Sequence, residues 1–176
     1  MQINSSSVIP QPRERVFRAY RDEMSAVARF MPNIQQINVV KREPIDGGIK
    51  LHNEWIGKGE IPRPVQGIIK PEMLRWDDYA TWDDAAWGCR WEIKIRVFTD
   101  AMSCQGRTRF LEEGPGSTRV ILAGTLDISL KDIPGVPRLL AGTVGPLVEK
   151  FIVALITPNL EQVNTSLANY LKAGGV

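Results

Sequence analysis

Apolar and polar residues along this chain change their spacing several times, and each change marks an element. The first stretch alternates, with Ile3, Ser5, Ser7 and Ile9 on one side, until Pro10-Gln11-Pro12 stops it. A period of two is that of a strand, and proline pre-sets a helix start. From Arg13 to Asp22 the apolar Val16, Phe17 and Tyr20 recur at helical spacing, with Arg13, Arg15, Arg18 and Arg21 elsewhere around the axis. That pattern predicts an amphipathic helix. A second short helix is predicted from Met24 to Met31, burying Val27, Phe30 and Met31 and ending at Pro32.

Between Ile34 and Leu130 the period is two again, with turn chemistry at Asp46-Gly47-Gly48, near Asp83-Asp84 and at Glu113-Gly114-Pro115-Gly116. The expected strands of this antiparallel meander are Gln36 to Glu43, Ile49 to Lys58, Leu74 to Trp82, Trp87 to Phe98, Met102 to Glu112 and Ser117 to Leu130. Pro62, Pro64 and Pro71 exclude a central strand from Ile61 to Pro71. Beyond Pro134 and Pro137, residues such as Leu147, Phe151, Leu155, Leu160, Val163, Leu167 and Leu171 follow spacings of three and four. They predict a long helix from Gly145 to Lys172, kinked by Pro158 near Ala154 to Thr157.

One hairpin has a checkable register. A two-residue loop at Asp100-Ala101 pairs Trp91 with Phe110, Ile93 with Thr108, Ile95 with Gly106 and Val97 with Cys104, all of one parity. Cys89 then lies about 25 Å from Cys104, beyond disulfide reach, so both are expected as free thiols.

Composition narrows the class. The chain has 176 residues, 43% hydrophobic and 24% charged, the size and make-up of a single globular domain spanning 1–176. A formal net charge of +2 argues against nucleic acid as a dedicated partner. The most apolar region, Val136 to Ile156, is broken by Arg138, Glu149 and Lys150, and no signal-like segment opens the chain, so integral membrane association is not expected and the cytoplasm is. No spacing suits a metal or a phosphate-binding cofactor, and none is expected.

Candidate chemistry is sparse. The single histidine, His52, alternates with Leu51 and Asn53 and is read as a surface residue, which leaves no Ser-His-Asp or Cys-His arrangement. Among Asp77, Asp78, Asp83 and Asp84, alternation puts only Asp78 on the core side, with Trp76, Ala80 and Trp82. Asp83 and Asp84 read as turn residues and Asp77 as solvated. Asp78 either satisfies a backbone or arginine partner or, if buried with a raised pKa, moves a proton. The tryptophans Trp55, Trp76, Trp82, Trp87 and Trp91 suit cross-strand packing or the stacking of a planar ligand.

The order of strand, two short helices, meander and long terminal helix, with Pro12-x-x-x-Val16-Phe17 opening the first helix and Phe30-Met31-Pro32 closing the second, resembles the START-like helix-grip superfamily (SRPBCC). That superfamily includes the major birch-pollen allergen and bacterial polyketide cyclases. The resemblance implies an α+β fold, a curved antiparallel seven-stranded sheet wrapped around a long C-terminal helix, with a hydrophobic ligand cavity between them. The residues add that small or weakly polar side chains, Asn53, Cys104, Gly106, Thr108 and Gly124, are interspersed on the inward face among Trp55, Ile93, Ile95, Leu122 and Leu126. Either they leave room for a ligand or the helix approaches the sheet closely there.

Three functions compete. In the first, a small hydrophobic or amphipathic molecule, such as a lipid, isoprenoid or polyketide-like aromatic, lies against Trp55, Ile93, Ile95, Leu122, Phe151 and Leu155. Asn53, Asp78 and Thr108 orient its polar end, and the glycines Gly106 and Gly124 make the space. In the second, a cyclase or dehydratase uses Asp78 for proton transfer, with Asn53 or Thr108 polarising a carbonyl. In the third, the core is filled and the surface binds a partner.

Overall fold

A computed structural model describes residues 1–61, 63, 66–67, 69–71, 74–96, 102–128 and 138–175, without the side chains of 138–141, 143 and 144. Seven strands among these residues form one curved antiparallel sheet: β1 Gln2–Ile9, β2 Ile34–Ile45, β3 Gly48–Gly57, β4 Arg75–Asp83, β5 Gly88–Ile95, β6 Met102–Gly114 and β7 Ser117–Ile128. Helix α1 (Arg13–Asp22) and α2 (Met24–Val27) connect β1 to β2, and α3 (Arg138–Lys172) closes the chain. The strand order β1-β7-β6-β5-β4-β3-β2 is a meander of β2 to β7 with β1 returning beside β7. Strands alternate because one face is buried. In β3, for instance, Leu51, Asn53 and Trp55 are covered while their neighbours are more open. The fold is the α+β helix grip that the resemblance implied.

The second helix is shorter than expected. After α2 the chain tightens into a 3-10 turn, Ala28–Phe30, with Val27 and Met31 buried as predicted but Phe30 37% exposed, set edge-on to Tyr170 of α3 at 6.0 Å. Helix α3 starts earlier than Gly145, because Gly142, Gly145 and Pro146 weaken the sequence signal without preventing the turn. It continues through Pro158, whose missing N–H leaves the Ala154 carbonyl without its ladder donor. The adjacent Asn159 amide donates to the Leu155 carbonyl at 2.7 Å.

The β5–β6 register departs from expectation by four residues. Trp91 faces Gly106, Ile93 faces Cys104 and Cys89 faces Thr108, while the anticipated loop at Asp100-Ala101 and the Val97 pairing lie outside the described residues. The shift is even, so every inward residue stays inward. Cys89 now stands only four residues from the partner of Cys104, about 13 Å along the strand, still too far for a bridge. Both thiols are free and buried.

The core lies between the concave sheet face and the helices. Phe17 of α1 packs edge-on against Trp82, Trp87 and Phe110 with ring centres 5.2 to 5.3 Å apart, a geometry that suits the aromatic quadrupole. Val148, Ile152, Ile156, Val163, Leu167 and Leu171 line the buried stripe of α3. Polar sutures fix the helix over the β1 edge, where Ser5 Oγ donates to the Glu161 carbonyl at 3.1 Å and accepts from Asn164 Nδ2 at 3.3 Å. No helix among the described residues is long and apolar enough to cross a membrane.

Candidate functional site

A cavity opens on the concave face where β3, β4 and β5 run beneath α1, α2 and the part of α3 next to Pro158. It offers about 40 Å³ to the centre of a water-sized sphere, room for about three waters at roughly 10–15 Å³ each. Alternation supplies its floor: Asn53 and Trp55 come from β3, Asp78 and Trp82 from β4, Trp91 and Ile93 from β5. Helical spacing supplies its roof, because Ile156, Asn159, Leu160 and Val163 fall on one side of α3, with Tyr20 on α1. At one end the lining reaches Arg21, which bonds Asp22 at 2.9 Å and the half-exposed Asp84 at 2.7 Å.

Asp78 is the half-buried acid of this wall. Its Oδ2 accepts a hydrogen bond from Asn53 Nδ2 at 3.2 Å. Burial outweighs that bond and pushes its pKa up to about 6. Among the described residues no arginine pairs with it; the indole N–H of Trp55 is close enough to favour the carboxylate yet makes no hydrogen bond of good geometry there. Tyr20, raised well above its ordinary value by burial, then by Cys89 and Asp78, keeps its hydroxyl proton. Cys89 is raised by burial and by Asp78, which holds its thiol protonated and unreactive.

Four polar atoms of the lining residues are buried without a hydrogen-bond partner among the described residues: the acceptors Asn53 Oδ1 and Asn159 Oδ1 and the donors Trp55 Nε1 and Trp82 Nε1. Each such atom costs about 1–3 kcal/mol if left unpaired. All four belong to residues that line one otherwise apolar space.

The structure divides the sequence candidates. Asn53, Trp55, Asp78, Ile93 and Leu122 line the cavity; Ile95, Gly106, Thr108, Gly124, Phe151 and Leu155 do not. A Cβ on Gly106 would stand 2.4 Å from the Trp91 ring and from the Ala123 carbonyl, and one on Gly124 would stand 2.5 Å from the same ring. The space beside these glycines holds the Trp91 indole, so neither a ligand nor α3 occupies it. Thr108 is committed to that indole, accepting its Nε1–H at 3.3 Å. Leu155 packs on Gly57, whose Cβ would meet it at 3.2 Å, Phe151 joins the same core half-buried, and Ile95 is fully buried there.

Sequence reasoning missed Tyr20, Trp82 and Asn159 as cavity residues. For Trp82 a signal existed, since it shares a face with Asp78; for Asn159 the only hint was an amide one position past Pro158 on an otherwise apolar helix.

On the opposite face of β3 and β4, Asp77 is 6% exposed, not solvated. Arg96 grips it through Nε at 2.7 Å and Nη2 at 2.9 Å, His52 Nε2 lies 2.7 Å from its Oδ1, and the His52 ring stacks on Tyr79 at 4.4 Å. The histidine faces outward as expected, but it is bound into this cluster. Of the turn acids, Asp83 Oδ1 accepts the Ala86 N–H at 2.8 Å, as a turn aspartate should.

Neither a comparison with protein-family models nor one with curated proteins gave a match. Solved structures do match over the whole chain. The Zhui aromatase/cyclase from Streptomyces sp. R1128 superposes with a TM-score of 0.67 at 15% identity, covering 100% of this chain and 99% of that one. Norcoclaurine synthase from Thalictrum flavum, solved with dopamine and hydroxybenzaldehyde, gives 0.54 at 10% identity over 98% and 87%. Ara h 8.0201 gives 0.53 at 13% over 98% of each chain. At these identities the likeness establishes the START-like fold.

Proposed function

We propose that the chain works as one START-like unit that binds a small amphipathic molecule between the sheet and α3. The observation that carries this reading is an otherwise apolar cavity whose lining includes the half-buried acid Asp78 and residues that carry four polar atoms without a partner among the described residues. A lipid or isoprenoid tail would leave those atoms unpaired. A compact polyketide-like or aromatic molecule, with hydrogen-bond donors and acceptors spaced around an apolar body, satisfies Asn53 Oδ1, Asn159 Oδ1, Trp55 Nε1 and Trp82 Nε1 together. With room for about three waters, the cavity as it stands takes only part of such a ligand. Entry calls for a shift of the α3 wall near Pro158, where one ladder bond is already missing. Small-molecule cyclisation by proteins of similar fold, an aromatase/cyclase among them, is consistent with this reading.

One observation favours a catalytic version. An acid with a pKa of about 6 is mostly carboxylate at pH 7 and still returns a proton readily, so Asp78 suits general-base removal of a proton next to a carbonyl. The indole N–H of Trp82, without a partner among the described residues, is the donor able to polarise that carbonyl. Of the expected candidates, Thr108 is not among the residues that line the cavity, and Asn53 has one of its two amide hydrogens on Asp78.

The test is native mass spectrometry of gently purified protein beside its denatured mass. A reproducible added mass that leaves on denaturation and falls in Trp82→Phe and Asn53→Leu supports binding at this site. Protein that carries nothing, and whose tryptophan fluorescence is unmoved by any compound of a hydroxylated aromatic library, sinks the proposal. If Asp78→Asn keeps the bound mass but stops its conversion, the enzyme version stands; unchanged conversion removes it.

A further inference from the structure

The outer face of the sheet carries a feature independent of the cavity. Arg90 of β5 lies directly opposite Arg107 of β6, and Arg109 follows two residues along β6 on the same side. Directly opposed side chains start about 5 Å apart at Cβ and diagonal ones about 7–8 Å, so three guanidinium groups share one small triangle. All three side chains are exposed, and none makes an ion pair among the described residues. The nearby acids are otherwise engaged or held back: Glu92 pairs with Lys94 at 3.3 Å, Asp83 caps its own turn, and Asp46 borders the adjoining groove without reaching an arginine.

Like charges placed directly opposite each other on a sheet destabilise it, and here no acid among the described residues pairs with them. The balance is local, because the formal net charge is only +2. Arginine presents a planar fork of donors that matches carboxylates two bonds at a time. The surroundings also resemble a contact surface: Tyr79, 42% exposed, stands in the groove shared by Arg90, Arg107, Gln105 and Thr125, and tyrosine and arginine are the residues enriched at interface centres. The outer sheet face offers no deep cradle in which a small anion would lose its water, whereas a broad partner surface covers and desolvates the patch. We propose that Arg90, Arg107 and Arg109 form the docking site for an acidic surface of a partner protein, leaving the cavity on the other face free.

A fluorescein-labelled peptide of ten glutamates is the probe, read by anisotropy on the full chain. Wild type is expected to bind it and to weaken about tenfold between about 20 and about 150 mM salt. Arg90→Glu/Arg107→Glu should lose at least about tenfold more, while Arg18→Glu/Arg29→Glu, with the same charge change elsewhere, stays within about twofold of wild type. Equal losses in both variants, or no binding at low salt, overturn the proposal. So does equally tight and equally Arg90/Arg107-dependent binding of phosphatidylserine vesicles or inorganic phosphate, which would assign the patch to a membrane or to a small anion. Arg107→Thr alone should melt higher than wild type. Neither Arg90 nor Arg107 lines the cavity, so bound ligand mass persists in the double variant and this proposal fails or stands apart from the binding function.

Discussion

Asp77 and Asp78 are neighbours on β4 with opposite electrostatic fates. Asp77 points outward into the grip of Arg96 and the His52 ring, and those partners, with Arg96 foremost, hold its carboxyl below the usual range despite its low exposure. Asp78 points inward to one amide and an apolar cavity, and burial drives its pKa up to about 6. Thus this corner of the outer face is organised by charge pairing beside water, where desolvation is incomplete because the covering Arg96 is itself 52% exposed. The inner face is organised by aromatic packing, and a charged acid kept there lowers stability.

The largest effect expected on this contrast is from Trp91→Ala, which removes the indole lying over Gly106 and Gly124. It should destabilise by about 3–5 kcal/mol in urea melts, and its cavity should then admit ligands larger than those wild type takes. A loss under about 1 kcal/mol would show that the inner face is not held by packing there.

Asp78→Asn comes next and has the opposite sign. The folded-state pKa of Asp78, about 6, exceeds the unfolded value of about 3.9, so the folded protein binds the proton more tightly. Its stability therefore falls as pH rises from about 4 to about 6. Removing the charge should raise stability by about 3 kcal/mol at pH 7.5, a gain that shrinks toward zero near pH 4. A gain that persists at pH 4 would place its origin elsewhere than in the buried charge.

Asp77→Asn should do the reverse on the outer face. The depressed folded pKa stabilises the protein above the unfolded value of about 3.9, and this is lost as pH falls through the folded pKa. At pH 7 the variant should lose about 1 kcal/mol, discounted for the solvent around Arg96, and become indistinguishable from wild type in strong acid. The smallest change is expected from His52→Gln, under about 1 kcal/mol at pH 8. A larger loss would mean that the Tyr79 stack, and not the hydrogen bond to Asp77, holds this corner.

Much of this contrast was legible in the chain. Strict alternation assigns Asp78, Trp76 and Trp82 to the core side and His52 to the other, because strand periodicity is a local property of the backbone. The same alternation fixes the parity of the β5–β6 pairing. It does not fix the four-residue translation, which depends on a loop length that no local pattern dictates. That slip decides the fate of Gly106, which receives Trp91 instead of lying beside Ile95, and so the candidate space became packed core. Treating the outer face as solvent misjudged Asp77, since Arg96 lies nineteen positions on and its reach across the strands has no sequence signature.

From its sequence alone this protein is an α+β chain with a meander, two short helices and a long terminal helix, because periods of two and of three to four, with proline and glycine at the breaks, are imposed by backbone geometry. The inward direction of Asp78 and the helical stripe of α3 follow from the same local rules. Only the tertiary structure decides which turn of α3 lies over β3 to β5, and therefore that Asn159 and Tyr20 share one cavity with Asp78. It alone brings the residues that carry four unpaired polar atoms to the wall of one cavity and sets three arginines side by side on the outer face. These outcomes depend on register and on contacts between distant segments, whose energies belong to pairs of residues and cannot be assigned to positions read one at a time.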